Sequence, residues 1–182
     1  MDPLLELTIS WSFAALFAGS TLHKLLALSE WPGVVRNYRL IPDAFAAVAA
    51  GALLCAGALT AAALLWAPTR SLGAGAAAVQ LIIFAAAIGV NLHRGRTRID
   101  CGCFGSRLRM GLSRWMVARN GVMALIALTL LLPVSRRELS VLEIAISFVC
   151  VVTLGFLYPV VAVVLQPPPP SDADYAGARG TR

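Results

Sequence analysis

The sequence predicts an all-α, polytopic membrane protein with about five transmembrane helices. Of its 182 residues, 59% are hydrophobic and 13% are charged, whereas about a quarter of the residues in a soluble domain are charged. The mean hydropathy is +0.80, and the apolar runs show no strand-like alternation. Five runs are long enough to cross a bilayer as helices. We therefore expect one helical bundle and no second globular domain.

The predicted spans follow one another closely along the chain. They cover residues 4–28, 42–66, 72–92, 115–133 and 141–165. No base precedes Lys24, so the first span lacks the basic start of a signal peptide and is interpreted as a retained helix. Residues 1–166 are expected to form the membrane domain, with a loop at 93–114. Residues 167–182 begin with four prolines and continue with small and polar residues, which predicts a disordered tail.

The positions of the basic residues predict the orientation. The net charge of +6 is concentrated in loops between apolar runs, which favours anionic lipid headgroups over nucleic acid as the partner surface. The first and third loops and their flanks hold most of the bases: Lys24, Arg36, Arg39, Arg94, Arg96, Arg98, Arg107, Arg109 and Arg114. The opposite loops hold Arg70, Arg136 and Arg137. In the cell (inner) membrane, this bias places the N-terminus in the periplasm and the 93–114 loop in the cytoplasm.

The strongest chemical signal is a pair of thiols in the 93–114 loop. Its residues are Cys101, Gly102, Cys103, Phe104 and Gly105. Gly102 has no Cβ, so the backbone can turn tightly enough to bring the two sulfurs together. A disulfide across one residue closes a strained ring, which is easier to reduce than a structural bond. The pair is expected to exchange disulfides, with an unreactive thiol pair or a static turn disulfide as the alternative.

Charges near the pair should change its reactivity. Arg98 and Arg107 flank the cysteines within an arginine-rich loop, and nearby cations favour thiolate over thiol. Asp100, directly before Cys101, opposes this effect.

Polar residues inside the apolar spans are costly and need explanation. Lys24 lies near the inner end of the first span, where it could anchor the helix by snorkelling. Alternatively, Lys24 or His23 could approach the cysteine loop and stabilise a thiolate. For Arg119 and Asn120 in the fourth span we expect anchoring and hydrogen bonds between helices, and for Gln80 a bond to a neighbouring helix.

Two further cysteines, Cys55 and Cys150, lie near the middle of predicted spans. Free cysteines at such positions usually behave as small apolar residues. A second thiol pair that carries electrons across the membrane would require the second and fifth spans to touch.

Small residues and one acid predict local packing. Ala47 with Gly51, and Gly73 with Ala77, are spaced i, i+4 and are expected at contacts between helices. Glu143 begins the fifth span, where a carboxylate suits a helix N-terminus.

The stretch from Asn91 to Gly105 (Asn-Leu-His-Arg-Gly-Arg-Thr-Arg-Ile-Asp-Cys-Gly-Cys-Phe-Gly) resembles the signature of the methylamine utilization protein MauE family. That family lies in the wider group of MauE/DoxX-like redox-associated membrane proteins. Supporting positions are Lys24, residues 37–42, and the pair Arg119 and Asn120. The similarity extends to about residue 165. Relatives often carry a glutamate in the second span, and residues 53–57 contain none.

The resemblance implies a membrane helper in methylamine metabolism rather than a metabolic enzyme. The family is associated with processing, transport or disulfide maturation of the small (beta) subunit of periplasmic methylamine dehydrogenase, together with a thioredoxin-like partner, MauD. Cys101 and Cys103 carry over as the redox pair, which implies thiol-disulfide oxidoreductase-like activity without a cofactor or resident metal. The residues independently support exchange at a membrane but say nothing about methylamine.

Two other classes of function stay open at this point. A transport component would need a polar pathway, and the spans contain little buried charge. A metal-binding membrane protein could use Cys101, Cys103 and His93, but a closed zinc site takes four ligands and the sequence offers no evident fourth.

Overall fold

A computed structural model describes residues 1–96, 112–135 and 137–164. Over these ranges the chain is helical and contains no strand, which confirms the predicted class. The helices are α1 (Pro3–Leu26), α2 (Trp31–Asn37), α3 (Ala46–Leu65), α4 (Arg70–His93), α5 (Arg114–Thr129) and α6 (Val141–Val164). Short 3-10 turns at Asp43–Phe45 and Ala67–Thr69 lead into α3 and α4. The predicted tail at 167–182 lies outside the described residues.

Four stretches of the described chain are long and apolar enough to cross a bilayer: Pro3–Leu26, Asp43–Leu65, Ala67–His93 and Val141–Tyr158. The fifth predicted span corresponds to α5, whose 16 residues extend roughly 24 Å. Residues 130–132 prolong it by one turn, because each of their N–H groups bonds the carbonyl three residues earlier. α5 packs along α4, so about five helices run the length of the bundle. The protein is a multi-pass membrane protein.

The amino end of the bundle is defined by contacts of the first residues. The Met1 amine donates to the carbonyl of Pro133, and the Ser135 N–H donates to the carbonyl of Met1. Arg70, at the start of α4, pairs with Glu6 of α1 at 3.0 Å. The α5–α6 connection and the start of α4 therefore lie beside the N-terminus.

The opposite end, which we term the loop end, holds both stems of the predicted cysteine loop. Arg94, just after α4, donates a hydrogen bond to the Arg39 carbonyl. Leu112, just before α5, is buried with Ile88 of α4 and Met116 of α5.

Small residues allow the central helices to approach closely. The main core contains Ala74, Ala77 and Ala78 of α4, Ala124 and Ala127 of α5, and Phe13 and Phe17 of α1. A Cβ on Gly73 would lie 2.9 Å from the backbone nitrogen of Leu64, so the predicted close contact at Gly73 is confirmed. Dispersion between closely spaced backbones supplies the attraction that lipid does not.

The predicted contact at Ala47 and Gly51 is wrong. Both residues are exposed, and a Cβ on Gly51 would meet nothing within 4 Å. The buried face of α3 includes Ala46, Ala50 and Gly57. Because successive residues of an α-helix are rotated by about 100°, Ala47 and Gly51 lie beside this face and point away from the bundle.

Candidate functional site

Most of the predicted site lies outside the described residues. This applies to Arg98, Asp100, Cys101, Gly102, Cys103, Phe104, Gly105 and Arg107. The structure does describe the last residue before this segment, Arg96, the first after it, Leu112, and the predicted supporting residue Lys24. These three positions show what the bundle provides at the loop end.

The first stem is fixed by the way α4 ends. Gly95 has a positive φ of 70°, which glycine adopts without a steric penalty. The Arg96 N–H bonds the Asn91 carbonyl at 2.9 Å, and the Gly95 N–H bonds the Leu92 carbonyl at 3.0 Å. This pattern is a Schellman motif, which satisfies the last helix carbonyls and sets the direction in which the chain leaves α4.

Asn91 ties the same stem to the bundle interior. Its side chain is fully buried, and its Nδ2 donates to the Ala87 carbonyl at 3.0 Å. Its Oδ1 accepts a hydrogen bond from Arg96 Nη1 at 3.3 Å. Asn91 belongs to the stretch that resembles the MauE signature, and the sequence predicts no role for it. The available signal was an amide in the last turn of an apolar span, where a buried amide needs a partner.

The second stem rests on the same part of α4. Leu112 and Met116 are buried together with Ile88, and Tyr38 and Leu92 pack against them while partly buried. Both ends of the segment 97–111 are therefore held against the last two turns of α4.

The connection between α2 and α3 joins this assembly. Arg39 has a φ of 47°, a left-handed conformation that is uncommon for a residue with a side chain. Its carbonyl accepts a hydrogen bond from Arg94 Nη1 at 3.2 Å. The 37–42 segment quoted in the resemblance therefore contacts the first stem directly.

Lys24 is turned into the bundle. Its side chain is 9% exposed, and Nζ lies 2.6 Å from Ser20 Oγ, one turn back toward the middle of α1. Nζ also lies 5.0 Å from the ring centroid of Trp31 and 5.7 Å from that of Phe84. Trp31 is held in place by a hydrogen bond from Nε1 to the Ala50 carbonyl at 2.9 Å.

The predicted snorkelling of Lys24 is therefore wrong. The ammonium points back along α1, where a hydroxyl and two aromatic faces contact it. Among the described residues, Lys24 is the only buried charged side chain, whereas His23 is exposed. A buried cation can act on nearby charge with little screening by water.

The expected contacts of the other polar residues in the spans are confirmed for some and not for others. Gln80 Nε2 donates to Thr60 Oγ1 at 2.5 Å, which confirms its predicted bond to a neighbouring helix. Arg119 stacks over Tyr158 of α6, with its guanidinium carbon 5.3 Å from the ring centroid. Asn120 is buried, and its Nδ2 has no hydrogen-bond partner in the described chain, so that group does not form the expected bond between helices.

Glu143 confirms the expectation for the start of α6. Its Oε2 accepts from the Ser140 N–H at 2.8 Å, while the Glu143 N–H donates to Ser140 Oγ at 3.3 Å. This reciprocal arrangement is a capping box. Glu143 also pairs with Arg137 at 2.7 Å. That hydrogen bond, with the nearby Asp2 carboxylate, raises the pKa of Arg137.

Cys55 and Cys150 are free thiols on the outer surface of the bundle. α6 packs mainly against α1, and the described chain does not pack α3 against α6. The condition for a second thiol pair is therefore not met, and both cysteines occupy positions that face lipid. Where residues are described, no three His, Cys, Asp or Glu side chains form a metal-binding group, and His93 is exposed.

Comparison with known proteins identifies the family. Residues 2–133 match the family described as methylamine utilisation protein MauE. The chain belongs to the MauE family. The match covers α1 to α5 with the cysteine segment, whereas the sequence resemblance was expected to reach about residue 165. α6 lies beyond the matched residues.

Curated MauE proteins agree with this assignment. The chain is 40% identical to methylamine utilization protein MauE of Paracoccus denitrificans over 133 residues, covering 71% of this chain and 72% of that protein. It is 43% identical to the Paracoccus versutus protein over 137 residues, covering 74% of each. Identity to the Methylorubrum extorquens protein is 35% over 136 residues, covering 74% and 73%. No solved structure matches the chain significantly.

Proposed function

We propose that this protein is a membrane thiol-disulfide helper in methylamine utilisation, with Cys101 and Cys103 as the exchanging pair. The observation that carries the proposal is a Cys-Gly-Cys segment inside the part of the chain that matches the MauE family. Its two stems are held at one end of a helical bundle that also contains the buried ammonium of Lys24.

The exchange requires no cofactor. One thiolate of the reduced pair attacks a partner disulfide and forms a mixed disulfide while the partner sulfur leaves as thiolate. The second thiolate then attacks the sulfur of the first cysteine and closes the ring across Gly102. The partner leaves as a dithiol, so two electrons and, overall, two protons pass to it. When the pair starts oxidised, the same steps run in reverse.

Lys24 and the loop arginines are proposed to favour the thiolate. Lys24 supplies a charge in a site from which water is largely excluded, whereas Arg98 and Arg107 flank the cysteines in sequence. Neutralising Arg98 and Arg107 together should slow alkylation of the pair at neutral pH, and Asp100→Asn should accelerate it.

The proposed client is the small (beta) subunit of methylamine dehydrogenase, matured with a thioredoxin-like MauD partner. The proposed location is the inner membrane, with the N-terminus periplasmic and the cysteine segment cytoplasmic. Because the client is periplasmic, this orientation requires electrons to pass across the bilayer. Labelling Cys101 and Cys103 with membrane-impermeant reagents from each side of the membrane decides the orientation.

Serine substitution tests the central step. Cys101→Ser or Cys103→Ser should abolish accumulation of active methylamine dehydrogenase in cells that depend on this protein. Cys55→Ser and Cys150→Ser are matched controls, because they remove a free thiol from the outer surface, and both should be mild. Normal maturation in the Cys101/Cys103 double variant would refute the proposal.

A further inference from the structure

Arg119 lies on a face of α5 that turns away from the bundle core. Trp115, one turn earlier on this face, and Val122, one turn later, are both exposed. Tyr158 of α6 covers one face of the guanidinium. The N–H groups at the guanidinium edge donate to no described residue, and Nε is buried without a partner.

The depth of Arg119 corresponds to the headgroup boundary. Arg119 is the sixth residue of α5, which begins at Arg114, so the stacked guanidinium lies within the first two turns of the helix at the loop end. Trp115 lies one turn nearer the loop end. Tyrosine and tryptophan are the residues enriched at this level of a membrane protein.

Arg119 has no protein counter-ion in the described chain. The ion pairs of the described residues involve Arg70 and Arg137 instead. Two described acids near the loop end, Glu30 and Asp43, adjoin α2 and α3, whereas α5 packs on α4. A guanidinium at the edge of hydrocarbon requires an anion, and its planar fork matches the oxygens of a phosphate group.

The surface beyond Arg119 suits acyl chains. Val122 and Ile126 follow Arg119 on the same face of α5, and Leu154 precedes Tyr158 by one turn of α6. All three are exposed apolar residues. α5 packs mainly on α4 and α6 mainly on α1, so these exposed faces are left uncovered, and the contact of Arg119 with Tyr158 brings them together.

We propose that Arg119 and Tyr158 form a binding site for the phosphate of an anionic phospholipid. Arg119 binds the phosphate oxygens, Tyr158 holds the guanidinium plane, and the acyl chains lie along Val122, Ile126 and Leu154. An anionic lipid is favoured over a zwitterionic one because many basic residues surround this end of the bundle. The site is independent of the cysteine pair and its proposed chemistry.

Lipid titration of the purified full chain tests the site. Native mass spectrometry gives dissociation constants for phosphatidylglycerol and phosphatidylcholine, and phosphatidylglycerol should bind more tightly to the unsubstituted protein. Arg119→Gln should weaken phosphatidylglycerol binding about tenfold, the loss expected for charge-assisted hydrogen bonds. Arg119→Lys should weaken it less, and Tyr158→Phe should retain binding because the ring remains.

The matched control is Arg114→Gln, which removes the same charge from an exposed position on the same helix. Equal losses in Arg114→Gln and Arg119→Gln would show diffuse surface attraction and overturn the proposal. Equal affinity for the two lipids would also overturn it. Displacement by inorganic phosphate as effectively as by phosphatidylglycerol would assign the site to free phosphate instead.

A second measurement uses the unsubstituted protein and does not depend on folding of a variant. Phosphatidylglycerol with a photoreactive headgroup should label peptides that contain Arg119 or Tyr158, and unlabelled phosphatidylglycerol should suppress the labelling. Equal labelling of α3, which lies elsewhere in the bundle, would contradict a specific site.

Discussion

Asn91 and Arg96 are joined by a hydrogen bond at the point where α4 ends and the segment that carries Cys101 and Cys103 begins. The amide is fully buried while the guanidinium is half-buried, so the bond ties a surface residue to the bundle interior. Together with the positive φ of Gly95, it sets how the chain leaves the helix. A thiol pair that must meet a partner disulfide benefits from such a fixed base, because exchange depends on which sulfur is accessible.

Replacing Asn91 by leucine should lower the free energy of unfolding by about 1 kcal/mol, because the bond to Arg96 is lost while the volume is kept. Unfolding of the purified protein in detergent measures the change. Asn37→Leu makes the same substitution at an exposed position of the loop end and should alter stability by less than about 0.5 kcal/mol. Equal effects of the two substitutions would show that the Asn91 bond contributes nothing measurable.

Gly73→Ala should destabilise the bundle by about 2 kcal/mol or more, because the new Cβ would lie 2.9 Å from a backbone atom of Leu64. Gly75→Ala is the matched control on the same helix, since its Cβ would meet nothing within 4 Å. It should be neutral or stabilising by up to about 1 kcal/mol, as expected for alanine in a helix. If both variants unfold alike, α3 and α4 do not approach as closely as described.

Much of the helical architecture could be predicted from the sequence because membrane spans are defined by length and apolar composition. The predicted spans 4–28 and 72–92 agree with α1 and α4 to within two residues at each end. α2 was missed because its seven residues are too short for a periodic signal, and its stability depends on Trp31 packing against α3. The misassigned contact at Gly51 shows that small residues do not reveal which face of an apolar helix is buried.

The candidate site was less predictable because side-chain direction depends on neighbouring helices. The sequence marks Lys24 as a charged residue in an apolar span. Its position near the end of that span is compatible with a side chain that points to the headgroups or with one that points into the bundle. Ser20, Trp31 and Phe84 contact the ammonium, and they converge on it from three different helices. The roles of Cys101 and Cys103 stay predictions, since both lie outside the described residues.

Arg70→Gln should destabilise the protein by about 2–3 kcal/mol, because it leaves the Glu6 carboxylate largely buried without its partner. Arg70 and Glu6 side chains are only 13% and 18% exposed. Arg137→Gln makes the same change in an ion pair at the same end of the bundle, but this arginine is 49% exposed, so its loss should destabilise the protein much less. Unfolding at low and high salt measures both, and only the Arg137 effect should shrink strongly with salt. The reverse ranking would contradict the described burial.

Lys24→Met should slow alkylation of Cys101 and Cys103 at neutral pH while leaving the fold intact. Methionine fills a similar volume among Ser20, Trp31 and Phe84 but removes the charge proposed to favour the thiolate. With less cationic stabilisation, the thiol pKa should rise, so the alkylation profile should move to higher pH.

Lys24→Arg should restore much of the alkylation rate, because it returns a cation to the same place. Arg36→Gln is the control for general loss of positive charge near the loop end, since it belongs to the surface helix α2. The effect of Arg36→Gln should be smaller and should disappear at high ionic strength. The effect of Lys24→Met should persist at high ionic strength, because Lys24 is buried. A pH profile that is unchanged in Lys24→Met would assign this lysine to packing alone and remove it from the redox site.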